Sequence, residues 1–335
     1  MYDNVMNLRN KVYQMFMISP QSTDMKNEVN LKIALNNGLG GVIFFSKNIL
    51  SIEQVKKFTS QIKDNALVSP FIGIDQEGGR VERTENIFNG KKFLSAKFQA
   101  EKGIDVVFSQ TKEIAQLIKS MGFNMNFAPV LDVNTNPKNP IIGERAYGVS
   151  ADDVEKYAIC AMQTYLQNDI IPVGKHFPGH GDVNMDSHLT LPTLGLSFDD
   201  IEKIHVKPFK TAIEKGLPAI MVAHLYCPCF DNEKIPSSLS RKVLDYLRNK
   251  LKFKGLVVSD DMQMGALQMI NPVDAVIKSI NAGVNLFLYR DSTDETINII
   301  EKVYEKTQSD DELKFNIEKS FDIIQKIKLS YNHIL

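Results

Sequence analysis

Between Lys175 and His188 the chain reads Lys175-His176-Phe177-Pro178-Gly179-His180-Gly181-Asp182, then Asp186-Ser187-His188 after a short spacer. Asp186 and His188 are two residues apart, too close to face each other on a helix. In a loop, the carboxylate can hydrogen-bond one imidazole nitrogen. That bond fixes the tautomer and raises the basicity of the other nitrogen, which suits a group that gives and takes a proton near neutral pH. The same stretch admits metal binding, because His176, His180, Asp182, Asp186 and His188 are all competent ligands. An H-x-x-x-H pair needs a helix to align it, and Pro178 and Gly179 oppose one there. Acid/base chemistry is therefore the expectation, with no metal and no cofactor.

Other polar groups sit at the ends of apolar runs. Asp75 ends FIGID (71–75), Asp132 lies in NFAPVLDV (126–133), and Lys175 and His176 lie in IPVGKHF (171–177). His224 lies in AIMVAHL (219–225), and Asp260, followed by Asp261, ends GLVVSD (255–260). A single such group reads as a polar residue satisfying a nearby loop. Polar groups ending most of the runs read as a shared site. The Gly-rich piece Asp75-Gln76-Glu77-Gly78-Gly79-Arg80 matches neither phosphate-binding glycine pattern, and its acidic residues disfavour a phosphate. His205 and His333 fall in helical or tail segments and are expected at the surface. Cys227-Pro-Cys229 is too close for the usual C-x-x-C pair and reads as loop packing.

The elements that would position these groups follow from periodicity. The runs above, with MFMIS (15–19), GVIFFS (41–46) and NLFLYR (285–290), are near-continuously apolar, as parallel strands buried on both faces are. Helical segments separate them. Val154, Ala158, Ala161 and Tyr165 share one helical face. The segment 198–215 is helical in pattern, with a break or kink at Pro208. The segment 240–252 starts at Ser240 as an N-cap. Eight runs alternating with helices predict a (β/α)8 TIM-type barrel, with amphipathic helices from 291 onward packed outside it. An open doubly wound sheet is the competing fold. No linker or repeat interrupts the chain, so residues 1–335 read as one domain.

Composition sets the broad class. The apolar share is 43%, the charged share 24% and the formal net charge -1. That balance gives no general drive toward nucleic acid or an anionic membrane. No stretch approaches the length of a membrane span. The N-terminus lacks a signal-peptide pattern, and three cysteines suit a reducing compartment, so a cytoplasmic protein is expected.

These motifs together resemble glycoside hydrolase family 3, in its bacterial β-N-acetylglucosaminidase branch. The matching pieces are GGVIFFSKNI (40–49), GIDQEGGRVER (73–83), NFAPVLDV (126–133), IGERAYG (142–148), KHFPGHGDVNMDSH (175–188), MVAHL (221–225), PSSLS (236–240) and VVSDDMQMGA (257–266). They come in the family's order and span most of the chain. The resemblance implies a barrel and a retaining, two-step mechanism. It assigns Asp260 as nucleophile, His188 paired with Asp186 as general acid/base, and Asp75, Arg145, Lys175 and His176 as sugar-hydroxyl contacts. Related β-glucosidases take their acid/base from another domain. A His near its ordinary pKa can replace the usual second carboxyl at neutral pH. Glu144, Ala146-Tyr147-Gly148 and Asn285 depart from the family's pattern and bear on fine substrate preference.

The implied substrate is a small carbohydrate with terminal β-linked N-acetylglucosamine, a peptidoglycan-derived fragment, cleaved by a monomer without nucleic-acid or membrane partners. Three alternatives remain open: a phosphorylase using the same residues, a non-catalytic sugar-binding barrel, and a metal-dependent hydrolase.

Overall fold

The computed structural model describes residues 6–183 and 191–331. Its strands are β1 (Phe16–Ile18), β2 (Gly41–Phe44), β3 (Phe71–Ile74), β4 (Met125–Asn126), β5 (Ile171–Phe177), β6 (Ala219–Val222), β7 (Leu256–Asp261) and β8 (Leu286–Tyr289). Each pairs in parallel with the next, and β8 closes on β1 with Phe16 opposite Phe287. That closing pair excludes the open sheet and gives the (β/α)8 barrel.

Helix α1 (Leu8–Gln14) precedes β1. The crossovers hold α2 (Val29–Asn36), α3 (Ile52–Asn65), α4 (Ala96–Lys102) with α5 (Ile104–Ser120), α6 (Ala151–Gln167), α7 (Phe198–Asp200) with α8 (Lys207–Glu214), α9 (Arg241–Asp245) and α10 (Pro272–Ala282). After β8 come α11 (Asp294–Thr307) and α12 (Asp311–Ser330). The strands are apolar except for polar groups towards their C-terminal ends, because the barrel interior takes one face and the helices take the other. The interior is packed: the Met17 side chain lies where a side chain on Gly41 would have to go. The face expected on α6 is the one buried, through Val154, Ala158, Ala161 and Tyr165. Ser240 caps α9 by accepting from the Val243 N–H.

Two expectations change. The run 126–133 continues β4 for one residue only, to Asn126. Pro129 has no N–H to give, so the ladder thins to an isolated bridge between Val130 and Lys175. The freed chain carries Asp132 beneath the site. His205, expected at the surface, is fully buried. It ends a wide helical turn (Ile201–His205) and stands four residues after buried Ile201, on the same inward face. There it packs under Gly179, whose φ of 126° and closeness to the His205 Cβ leave no room for a side chain. Pro208 falls in the first turn of α8, where its missing N–H costs nothing, so the expected break is a helix start.

The N-terminal end of the barrel is sealed by α12. Lys328 reaches in, with Nζ 3.0 Å from Gln14 Oε1, 2.8 Å from the Ser69 carbonyl and 5.1 Å from the Phe71 ring centre. Burial pushes its pKa down to about 7. The native group thus loses its proton well below the unfolded value of about 10.4. Between those two values the unfolded chain binds a proton that the native one lacks, so this lysine makes stability rise with pH. Urea melts at pH 7 and 9 should show wild type gaining about 2 kcal/mol relative to Lys328→Met. Parallel pH dependence in the two proteins would refute the effect. Among the described residues, no helix is long and apolar enough to cross a membrane.

Candidate active site

The polar strand ends meet at the C-terminal mouth, where barrel loops converge. All seven residues of β5 are buried, including Lys175. Its Nζ lies 2.5 Å from Asp75 Oδ1, after β3, and 2.6 Å from Glu77 Oε1. Glu77 also receives the Arg145 guanidinium on both oxygens, Nε to Oε2 at 2.9 Å and Nη2 to Oε1 at 2.8 Å. Burial alone would push the Glu77 carboxyl up, but Arg145 and Lys175 outweigh it and hold the group far below the usual carboxylate range. Arg145 is raised in turn: burial opposes its charge, and Glu77 more than restores it. A planar fork between two oxygens has a fixed orientation, so the pair sets where Arg145 points.

His176 is held from beneath. Its Nδ1 is 2.6 Å from Asp132 Oδ2, and its Nε2 is 3.3 Å from Arg145 Nη2. Asp132 Oδ1 accepts the His180 N–H at 2.7 Å. Burial raises the Asp132 pKa, but His176 and His180 draw it below its ordinary value. The loop after β5 is pinned to the chain beyond β4. Asn139 donates to the His180 carbonyl at 2.7 Å, and Thr135 to Asp182 Oδ1 at 2.7 Å. Gly181 passes so close to the Val133 carbonyl that any side chain would collide. Asp186 and His188 lie outside the described residues. The chain on their far side is anchored: the Tyr226 N–H donates to the Pro192 carbonyl at 2.8 Å, and the Leu194 N–H to the Tyr226 carbonyl at 2.8 Å.

Asp260 stands near the end of β7 and accepts the Asp261 N–H at 2.8 Å. Burial would raise its pKa. The imidazoles of His176 and His224, the Asp261 N–H and Lys175 outweigh that and hold it below its ordinary value. The carboxylate is therefore ionised at neutral pH. A cavity of about 290 Å³ is lined by Asp75, Arg145, Lys175, His176 and Asp260, five of the seven site residues named from sequence. It is at the small end of ligand pockets.

The model for the glycosyl hydrolase family 3 N-terminal domain matches residues 7–324. The chain belongs to glycosyl hydrolase family 3. Within that family it is 34% identical over 272 residues to beta-hexosaminidase A of Pseudoalteromonas piscicida, covering 75% of this chain and 45% of that protein. It is 33% identical over 275 residues to a beta-hexosaminidase of Nitrosomonas eutropha, covering 78% of each. A solved family 3 beta-N-acetylglucosaminidase from Paenibacillus superimposes with a TM-score of 0.90 at 30% identity, over 98% of this chain and 63% of that one. The chain thus spans less than half of the Pseudoalteromonas protein and under two thirds of the Paenibacillus one.

Four further residues line or support this cavity. Glu77 and Asp132 are its buried counter-charges. Glu77 looked like part of a glycine-rich turn, and Asp132 like one strand-end group among several. Arg83 lies over the Phe45 ring at 5.5 Å and lines the cavity. His224 Nδ1 is 2.6 Å from Ser238 Oγ, and its Nε2 is 3.2 Å from the Asp261 carbonyl, placing it behind Asp260. The PSSLS motif held the signal for that contact, since its serine points back to the MVAHL strand. Asn285 stands at the other end of the barrel wall, where Oδ1 accepts from Arg248 at 2.7 Å and from the Val257 N–H at 2.9 Å. That departure from the family pattern therefore concerns packing around β8 rather than the cavity. Among the described residues no group of three or more potential ligands could hold a metal ion.

Proposed function

We propose that this chain is a retaining exo-β-N-acetylglucosaminidase, with Asp260 as nucleophile and His188, paired with Asp186, as general acid/base. The observation that carries the reading is an ionised Asp260 in a small cavity shared with Lys175, Asp75, Arg145 and His176. A retaining glycosidase needs a carboxylate on one face of the sugar and a proton donor on the other. Lys175 and Arg145 donate to hydroxyl or carbonyl oxygens of the sugar, while Asp75 accepts from its hydroxyls. Their mutual hydrogen bonds orient them before substrate arrives. The Asp260 carboxylate attacks the anomeric carbon as His188 protonates the departing oxygen. His188 then takes a proton from water as the water oxygen attacks the anomeric carbon; the bond from that carbon to Asp260 breaks, which frees the carboxylate and releases the sugar with its original configuration.

The beta-hexosaminidase names of the relatives support this substrate class. The natural substrate in this reading is a fragment of peptidoglycan with a terminal β-linked N-acetylglucosamine, cleaved in the cytoplasm during wall recycling. A chromogenic β-N-acetylglucosaminide tests the activity, run with and without inorganic phosphate. Release of free N-acetylglucosamine at a rate independent of phosphate is expected. Phosphate-dependent formation of the sugar 1-phosphate would replace hydrolysis with phosphorolysis, and no turnover would refute both.

A further inference from the structure

Outside the cavity, the turn after β6 brings two thiols together. Cys227 Sγ and Cys229 Sγ are 3.6 Å apart, with Cys227 buried and Cys229 partly open to solvent. The turn is held on both sides of the pair. On one side, Tyr226 is hydrogen-bonded to Pro192 and Leu194. On the other, the Cys227 carbonyl accepts from the Phe230 N–H at 3.1 Å and the Asp231 N–H at 3.2 Å. Phe230 packs on Tyr246 with ring centres 4.9 Å apart, and Asp231 accepts from Ser240 Oγ at 2.7 Å and Lys242 Nζ at 3.0 Å. Pro228 stands exposed between the two cysteines. A proline there limits the backbone freedom that would otherwise let the two thiols drift apart.

We propose that Cys227 and Cys229 are a reversible redox pair that is oxidised by a small-molecule disulfide. Cys229 is the entry point because it is the accessible thiol, and the S–H of Cys227 stabilises its thiolate. The Cys229 thiolate attacks one sulfur of oxidised glutathione and expels a glutathione thiolate, leaving a mixed disulfide. Cys227 passes its proton to that thiolate and attacks the Cys229 sulfur, expelling the second glutathione. In net, two protein thiols become one disulfide and one disulfide becomes two thiols. The sulfurs have only about 1.5 Å to close to bonding distance. A ring spanning a single intervening residue is strained, so the bond is readily reduced again, as in labile rather than structural disulfides. Cys160, elsewhere on α6, takes no part.

The folded protein is incubated with oxidised glutathione, alkylated and mapped by mass spectrometry without reduction. The expected product is a peptide carrying a Cys227–Cys229 bond, two hydrogens lighter than the parent and free of glutathione, which dithiothreitol reverts. Cys227→Ser should accumulate a stable glutathione adduct on Cys229, and Cys229→Ser should remain unmodified at Cys227. An unmodified turn in wild type, a stable glutathione adduct there, or a bond to Cys160 would each overturn the proposal. The wild-type map decides the matter even if a variant fails to fold.

Discussion

Replacing Asp260 with asparagine should lower kcat on a β-N-acetylglucosaminide by roughly 10⁴-fold, about 5.4 kcal/mol of lost transition-state stabilisation. The change removes one charge and keeps the shape. The amide oxygen can still accept the Asp261 N–H, so the end of β7 should hold and the melting temperature should stay near that of the parent. What disappears is the anion that, in the proposed mechanism, bonds to the anomeric carbon. Asp260→Ala leaves a gap on that face, and azide should fill it. Azide attacks directly from the vacated side, so the product should be the α-glycosyl azide, with configuration inverted relative to the substrate. Proton NMR of the product reads this out. If Asp260→Asn retains more than about a tenth of parental kcat, the nucleophile lies elsewhere and the proposed mechanism fails.

The second large effect belongs to His188. Its loss should depend on the leaving group, because a general acid matters only where the departing oxygen needs a proton. For a disaccharide with a poor leaving group, His188→Ala should reduce kcat/KM by roughly 10³-fold. For a dinitrophenyl glycoside, which departs without help, kcat/KM should fall less than about threefold, while kcat becomes limited by slow release of the glycosyl enzyme. Azide should speed that release and give the β-glycosyl azide, the opposite anomer to the one expected from Asp260→Ala. An equal loss for both leaving groups would assign His188 to binding rather than proton transfer. The described chain on either side of this segment is anchored, through Asp182 to Thr135 and through Pro192 and Leu194 to Tyr226.

Both the lysine sealing the other end of the barrel and the thiol pair beside β6 lie outside the cavity. Neither Lys328 nor Cys229 lines the cavity, so effects on stability or redox state can be measured with the catalytic groups intact.

Most of the barrel could be read along the chain because parallel strands buried on both faces leave an uninterrupted apolar signature. MFMIS, IPVGKHF and GLVVSD carried it plainly. NFAPVLDV carried the same signature and misled, since hydrophobicity reports burial while pairing also needs a free N–H, which Pro129 lacks. His205 was misread for the converse reason. A histidine in a helical segment reads as polar and exposed, yet its spacing from Ile201 put it on the buried face.

The same division runs through the site. Residue types and their places at the ends of apolar runs were enough to single out Asp75, Lys175, His176 and Asp260, because a chemical group keeps its character wherever the chain carries it. Residue type and spacing suggested Asp186 and His188 as an acid/base pair; family resemblance added Arg145 and the assignment of His188, with Asp186, as the general acid/base of a glycosidase. Which charge neutralises which was decided by closure of the barrel. Glu77 meets Arg145 across 68 residues of chain, and Lys175 meets Asp75 across 100. No local pattern encodes such pairs. They exist because eight strands return their C-terminal ends to one mouth, where burial makes an unpaired charge costly and a well-placed partner necessary.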